Sequence, residues 1–280
     1  MLDTLVFARD ALVSFLARGL WQLPWWGVLC YVLLMTHVTI VSVTIYLHRS
    51  QAHSALKLHP LVAHFFRFWL WLTTGMLTSE WVAAHRKHHA KCETVDDPHS
   101  PMVHGIGTVL LEGADLYRKA VREMKNREVK ERGRMVREID RYSHLTPRDW
   151  VERHVYSRYP WQGVGLMLII DLMLFGAIGA TVWAIQMMWI PFMAAGVING
   201  VGHYWGYRNF PRTDTNSSTN IFPWGILIGG EELHNNHHHF PISACFAVYR
   251  HEFDIGWVYI CCLGGLGLAT VNTKHLAPRL

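Results

Sequence analysis

Long uncharged apolar blocks alternate along this chain with short polar stretches crowded with histidine. Residues 25–46 carry no charged side chain over 22 positions, and about 20 apolar residues cross a bilayer as a helix. This block is expected to span a membrane, with Trp25 and Trp26 at headgroup level. Residues 163–202 form a second apolar run, broken only by Asp171. That length predicts two spans joined by a turn near 186–191. A buried acid such as Asp171 calls for a partner, which the sequence does not name. Ahead of the first span, Leu5, Leu12, Phe15, Leu16 and Leu20 fall on one helical face, with Arg9, Asp10 and Arg18 elsewhere. The pattern predicts an interfacial helix within residues 1–24.

Charge sharpens the picture. Of the 26 Lys and Arg in 280 residues, 16 lie between positions 81 and 160. Basic residues flanking membrane spans mark the cytoplasmic side, so 81–160 is expected to form a cytoplasmic cap, helical over 113–142. No nucleic-acid motif accompanies the basic block. The five cysteines show no CxxC or zinc-like spacing, so no disulfide framework is expected, and Cys92 reads as a bystander thiol. Asp3, Arg9 and Asp10 interrupt the N-terminal apolar pattern, which argues against a signal peptide.

The candidate chemistry lies in three histidine boxes: HRSQAH at 48–53, HRKHH at 85–89 and HNNHHH at 234–239. Neutral imidazole is the commonest metal ligand, and eight or more can hold two ions. His85, His88 and His89 share one helical face, as do His234, His237 and His238. His48 and His53 lie five apart, so they converge only if the helix ends or unwinds near 49–51, or if they serve different metals. His203, at the exit of the last apolar run with Asn199 one turn before it, is a ninth candidate. The first two boxes flank the apolar residues 60–78. A shared site therefore requires that segment to be interfacial or re-entrant, with Arg67 reaching the headgroups. The third box, in 203–280, is then also cytoplasmic. Nine neutral donors leave two dications poorly compensated, so carboxylates are expected behind the ligands: Glu80, Asp96, Asp97, Glu231 and Glu232.

The order HRSQAH, EWVAAHRKHH with ETVDDPHSP, NGVGHYWGYRNF and GGEELHNNHHHFP resembles the membrane fatty acid desaturases. The likeness runs from about residue 25 to 267 and is greatest to the acyl-CoA delta-nine (stearoyl-CoA type) branch in its short bacterial form. It implies an all-α membrane bundle of three to four spans whose cytoplasmic helical cap holds two iron ions. By resemblance, His48, His53, His85, His88, His89, His203, His234, His237 and His238 are the ligands, and Asn199 holds a metal-bound water. The implied reaction uses O2 to remove hydrogen from two adjacent methylenes of a fatty acyl thioester or lipid, leaving a cis double bond.

Three departures stand out. His239 follows the third box, which leaves a register His234/His238/His239 open. Only one span precedes the first box. Ala83 and Ala84 are apolar where animal members of that family have charged residues, one an Arg near the CoA, and Arg118–Lys119 resembles a basic pair that contacts carrier phosphates. With no Gly-rich dinucleotide motif or haem motif, electrons are expected from an external ferredoxin, rubredoxin or cytochrome b5-like donor, an acidic partner suited to the basic block. A multi-pass protein of a bacterial inner membrane is the expected setting. The rival chemistry is a di-iron hydroxylase of alkane or lipid chains; a histidine-rich metal transporter would need more polar residues in its spans.

Overall fold

A computed structural model of the chain describes residues 2–222 and 224–278. It is all-α apart from two small two-stranded sheets. Helix α1 (Leu2–Arg18) precedes α2 (Trp25–Ser42), which runs without a break into a π-helical segment, Val43–Ala52. Strand β1 (Leu56–Leu58), α3 (Pro60–Thr73) and α4 (Thr78–Lys91) follow. The basic region holds α5 (Pro101–His104), α6 (Ile106–Asn126), a β2 (Glu128–Glu131)–β3 (Arg134–Arg137) hairpin, and α7 (Glu138–Tyr142). The continuous helix expected over 113–142 therefore stops at Asn126. The chain reverses at Arg132 and Gly133, both in the left-handed region at φ +46° and +84°.

Among the described residues, two helical stretches are long and apolar enough to cross a membrane, Trp25–Ala52 and Pro160–Val201. The protein is therefore membrane-associated. The second stretch folds back on itself. α8 (Pro160–Phe175) ends at Gly176, whose φ of +63° suits glycine, and α9 (Gly179–Ile190) returns beside it. Trp183 donates across the pair to the Val164 carbonyl. The turn thus falls at Gly176, not near 186–191. Pro191, which removes a hydrogen bond inside a helix, opens a second π segment, Pro191–Val201, and the helix continues.

α1 docks beside this turn: Leu20 and Trp21 backbone N–H groups donate to Met173 and Leu174. Asp171 finds its partner in α2, where the Tyr31 hydroxyl donates to it. At 14 residues, α3 is about 21 Å long, shorter than a hydrocarbon core of about 30 Å. Arg67, expected at the headgroups, has carboxylate partners within the chain. It pairs with both oxygens of Asp149 at 2.6 and 3.0 Å and with Glu152 at 3.0 Å, tying α3 to the segment before α8.

The third-box end is built from α10 (Gly225–Ile228), α11 (His234–His239), α12 (Ile255–Gly265) and β4 (Ala269–Val271). β4 pairs with β1 in antiparallel register Leu56↔Val271, bringing the C-terminal region beside the first box. Ile40, Ile45, Tyr46, Leu47, Phe66, Leu70 and Ile260 form the apolar core beneath. Gly113 and Gly196 each meet the opposing backbone at the α6 crossing, where a Cβ would collide. That close approach fixes the helix from which His203 emerges.

Candidate metal centre

The π-helical turn resolves the five-residue spacing of the first box. Its bonds run i to i+5, and the His53 N–H donates to the His48 carbonyl at 3.1 Å. Residues five apart then stack on one face, so the helix widens where an end or an unwound turn was expected. Beside it, α4 presents His85, His88 and His89. Asn235 and Asn236 lock the back of α11 to Ser218, Phe210 and Phe246, turning His234, His237 and His238 inward.

The imidazoles converge in two sets. Ligand atoms of His48, His53, His85, His89 and His237 lie within 4.8 Å of one another. The second set joins His88, His203 and His238 in the same way, and it includes the Cys92 thiol. His234 belongs with it, its Nε2 lying 2.9 Å from His203 Nε2 and 3.1 Å from His238 Nε2. His48 Nε2 meets His237 Nε2 at 3.0 Å, and His53 Nε2 meets His85 Nε2 at 2.8 Å.

Protonation decides what these contacts mean. His48 Nδ1 donates to Glu231 at 2.8 Å, His88 Nδ1 to Asp97 at 2.9 Å, and His203 Nδ1 to Glu93 at 2.9 Å. The carboxylates fix the proton on Nδ1 and leave a lone pair on Nε2. Burial pushes His53, His85, His89, His234, His237 and His238 well below the usual imidazole range, and neighbouring imidazoles push further. Neutral rings with lone pairs aimed at one another repel unless a cation sits between them. The donor set therefore suits two metal ions.

The outer carboxylates differ in part from expectation. Asp97 and Glu231 hold histidines, Glu231 also accepting from the Thr44 hydroxyl. Glu80 instead pairs with Lys125 at 2.5 Å, and Asp96 with Arg127 at 3.0 Å, where longer basic side chains reach them first. Glu232 packs against Gly225, and burial pushes its carboxyl up to about 8.

Glu93 is the member that sequence reasoning missed. Burial alone would raise its carboxyl, but bonds from His203, Ser100 and Ser217 hold it down to about 2. The chain turns at Glu93 with φ +61°, an uncommon conformation that returns the side chain to the site. His99, set aside from its spacing, is buried with its ring 4.3 Å from that of His88. His239 lies apart, stacked on Phe210 at 3.8 Å. Asn199 is half-buried one turn before His203 and has no side-chain hydrogen bond among the described residues. Arg118 pairs with Asp115 on the exposed face of α6, and Lys119 is exposed beside it.

Residues 23–272 match the fatty acid desaturase family model. The chain belongs to the fatty acid desaturase family. It is 27% identical to a delta-9 desaturase-like 1 protein of Arabidopsis thaliana over 88% of this chain and 76% of that one. Similarity to the icosanoyl-CoA 5-desaturase of Limnanthes douglasii is 28%, over 91% and 66% of the two chains. A delta-9 acyl-lipid desaturase 1 of Arabidopsis thaliana is 26% identical, over 88% and 75%. These relatives are plant desaturases, where the motifs led to the expectation of a short bacterial form. Family and histidine geometry together make the protein an oxidoreductase, an O2-dependent fatty-acyl desaturase.

Proposed function

We propose that this desaturase introduces a cis double bond at the ninth carbon of a long saturated acyl chain carried as a CoA or related thioester. His48, His53, His85, His89 and His237 would hold one iron, and His88, His203, His234 and His238 the other, with Asn199 placed to hold a water. The converging Nε2 lone pairs carry this reading. When bound, the two irons supply the O2 chemistry that removes hydrogen from adjacent methylenes.

The chain's own residues orient and insulate. Glu231, Asp97 and Glu93 keep three Nδ1 atoms protonated, which fixes ring orientation and makes Nε2 a better donor. Trp81 stacks on His85 at 5.0 Å and 8°, backing the first set with an apolar wall. Methylenes offer no polar handle, so regiochemistry rests on how apolar side chains position the acyl chain.

Two features support a multi-pass topology with the site on the cytoplasmic face. Both apolar stretches end at histidine-bearing turns, and the exposed basic side chains cluster on α6 and the β2–β3 hairpin. That basic face suits an acidic external electron donor. Arg118 and Lys119 are available there for the carrier's phosphates.

Expression in a host that makes no monounsaturated fatty acids, followed by mass spectrometry of its acyl chains, tests the reaction. Cis-9 monounsaturated chains are expected. Hydroxylated chains alone would favour the alkane or lipid hydroxylase instead.

A further inference from the structure

α12 is an apolar helix that neither spans a bilayer nor sits wholly inside protein. Residues 255–273 carry no charged side chain, yet α12, with 11 residues, is only about 16 Å long, about half of a hydrocarbon core. Gly256 and Ile260 are buried on its inner side. Its outer side shows Val258, Cys262 and Leu266, all exposed and spaced four apart along one face, Leu266 by 73%. A helix at a water-facing surface turns polar residues outward, whereas one apolar all round is enclosed by protein or by lipid. The turn ahead of the third box has the same character. Residues 221–230 carry no charge, and Trp224 and Ile226 are exposed, Ile226 by 60%.

Contacts with α2 give the depth of both elements. His37 of α2 shares a 2.8 Å hydrogen bond with the Tyr259 hydroxyl of α12, and its ring also bonds the Ile226 backbone. Gly229 packs on the Ile40 and Thr44 side chains, and Ile260 joins Ile40 in one apolar cluster. Along the helix from Trp25, His37 lies about 18 Å away and Thr44 about 28 Å away, inside a hydrocarbon core of about 30 Å. A histidine at that depth needs polar partners, and His37 draws both from the third-box end.

We propose that α12 and the 224–228 turn are seated in the bilayer beside α2, with their outward faces against lipid acyl chains. This rests on α2 being a membrane span and goes beyond the cytoplasmic setting expected for residues 203–280. Leu33 and Leu34, one turn before His37 on the same face of α2, are exposed. The lipid-facing surface of α2 thus runs on into both elements. Because they flank α11, they fasten the third histidine box directly to the membrane.

The test uses the full-length chain in phosphatidylcholine vesicles, carrying Cys30→Ala, Cys261→Ala and Cys262→Ala and one nitroxide label at a time; the buried Cys92 and Cys245 are retained. Labels at Ile226→Cys and Val258→Cys are compared with Leu33→Cys on α2 and Lys130→Cys on the β2–β3 hairpin. Collisions of the label with O2, which concentrates in hydrocarbon, are set against collisions with a water-soluble nickel chelate. Nickel collisions should dominate at Lys130. The order should invert at Leu33, Ile226 and Val258, with nickel collisions lost, and Leu266→Cys replaces either site should a variant fail to fold. Nickel collisions at Ile226 or Val258, with Leu33 still shielded, would overturn the proposal and keep the span. Loss of both kinds of collision at those sites would mean that a second copy of the chain covers them, which also overturns it. Nickel collisions at Leu33 would overturn the span and the proposal together.

Discussion

At the residue scale, the outer carboxylates separate into those that hold a ring and those that do not. Glu93 receives His203 Nδ1, whereas Glu80 faces Lys125. Losing such an outer partner typically weakens metal binding about 10- to 100-fold. Glu93→Gln should therefore weaken binding at the second set by about that factor, while Glu80→Gln should leave it within about twofold; competition with a chelator measures both. Arg49 is a different kind of residue. Buried completely, it grips Asp254 with two nitrogens at 3.0 and 2.9 Å, donates to the Ala244 carbonyl and stacks on Phe246 at 3.8 Å. It joins the first-box helix to the segment that supports the third box. Arg49→Met leaves the Asp254 charge buried without its partner, a loss of about 3–5 kcal/mol. Thermal unfolding in detergent should show a lower midpoint for Arg49→Met, largely restored when Asp254→Leu is added.

At the element scale, the π-helical turn from Val43 to Ala52 sets the geometry of the first box. Deleting Gln51 removes the residue that lets positions 48 and 53 stack, and His53 should then leave the first set. Bound metal should fall from two ions per chain to one, counted by mass spectrometry. The α3 clamp is pH-dependent. The hydrogen bond from Arg67 holds the Asp149 carboxyl down to about 2, below its ordinary 3.8. A depressed carboxyl adds stability that is present above the ordinary value and lost as pH falls through the folded one. Because Asp149 is half exposed, the contribution is about 0–1 kcal/mol. The protection factors of α3 amides, with the intrinsic pH dependence of exchange divided out, should fall between pH 4 and pH 2 in the wild type, and be lower and flatter across that window in Asp149→Asn.

At the scale of the whole molecule, the sequence made local periodicity legible and left distant partnership hidden. His85, His88 and His89 could be placed on one face because helical spacing is written in neighbouring residues. The Glu93–His203 bond joins positions 110 apart and Arg49–Asp254 joins positions 205 apart, and neither leaves a local mark. The turn at Gly176 was missed for a related reason: a long apolar run gives no contrast, and Pro191 looked like the stronger breaker until the helix widened around it. Across all three scales, the central claim is that two metals lie between five imidazoles on one side and four on the other. Iron counted per chain tests it most directly, in the wild type, in His53→Ala and in His203→Ala. Two irons in the wild type and one in each variant are expected. A single iron in the wild type, or two retained in both variants, would contradict the account.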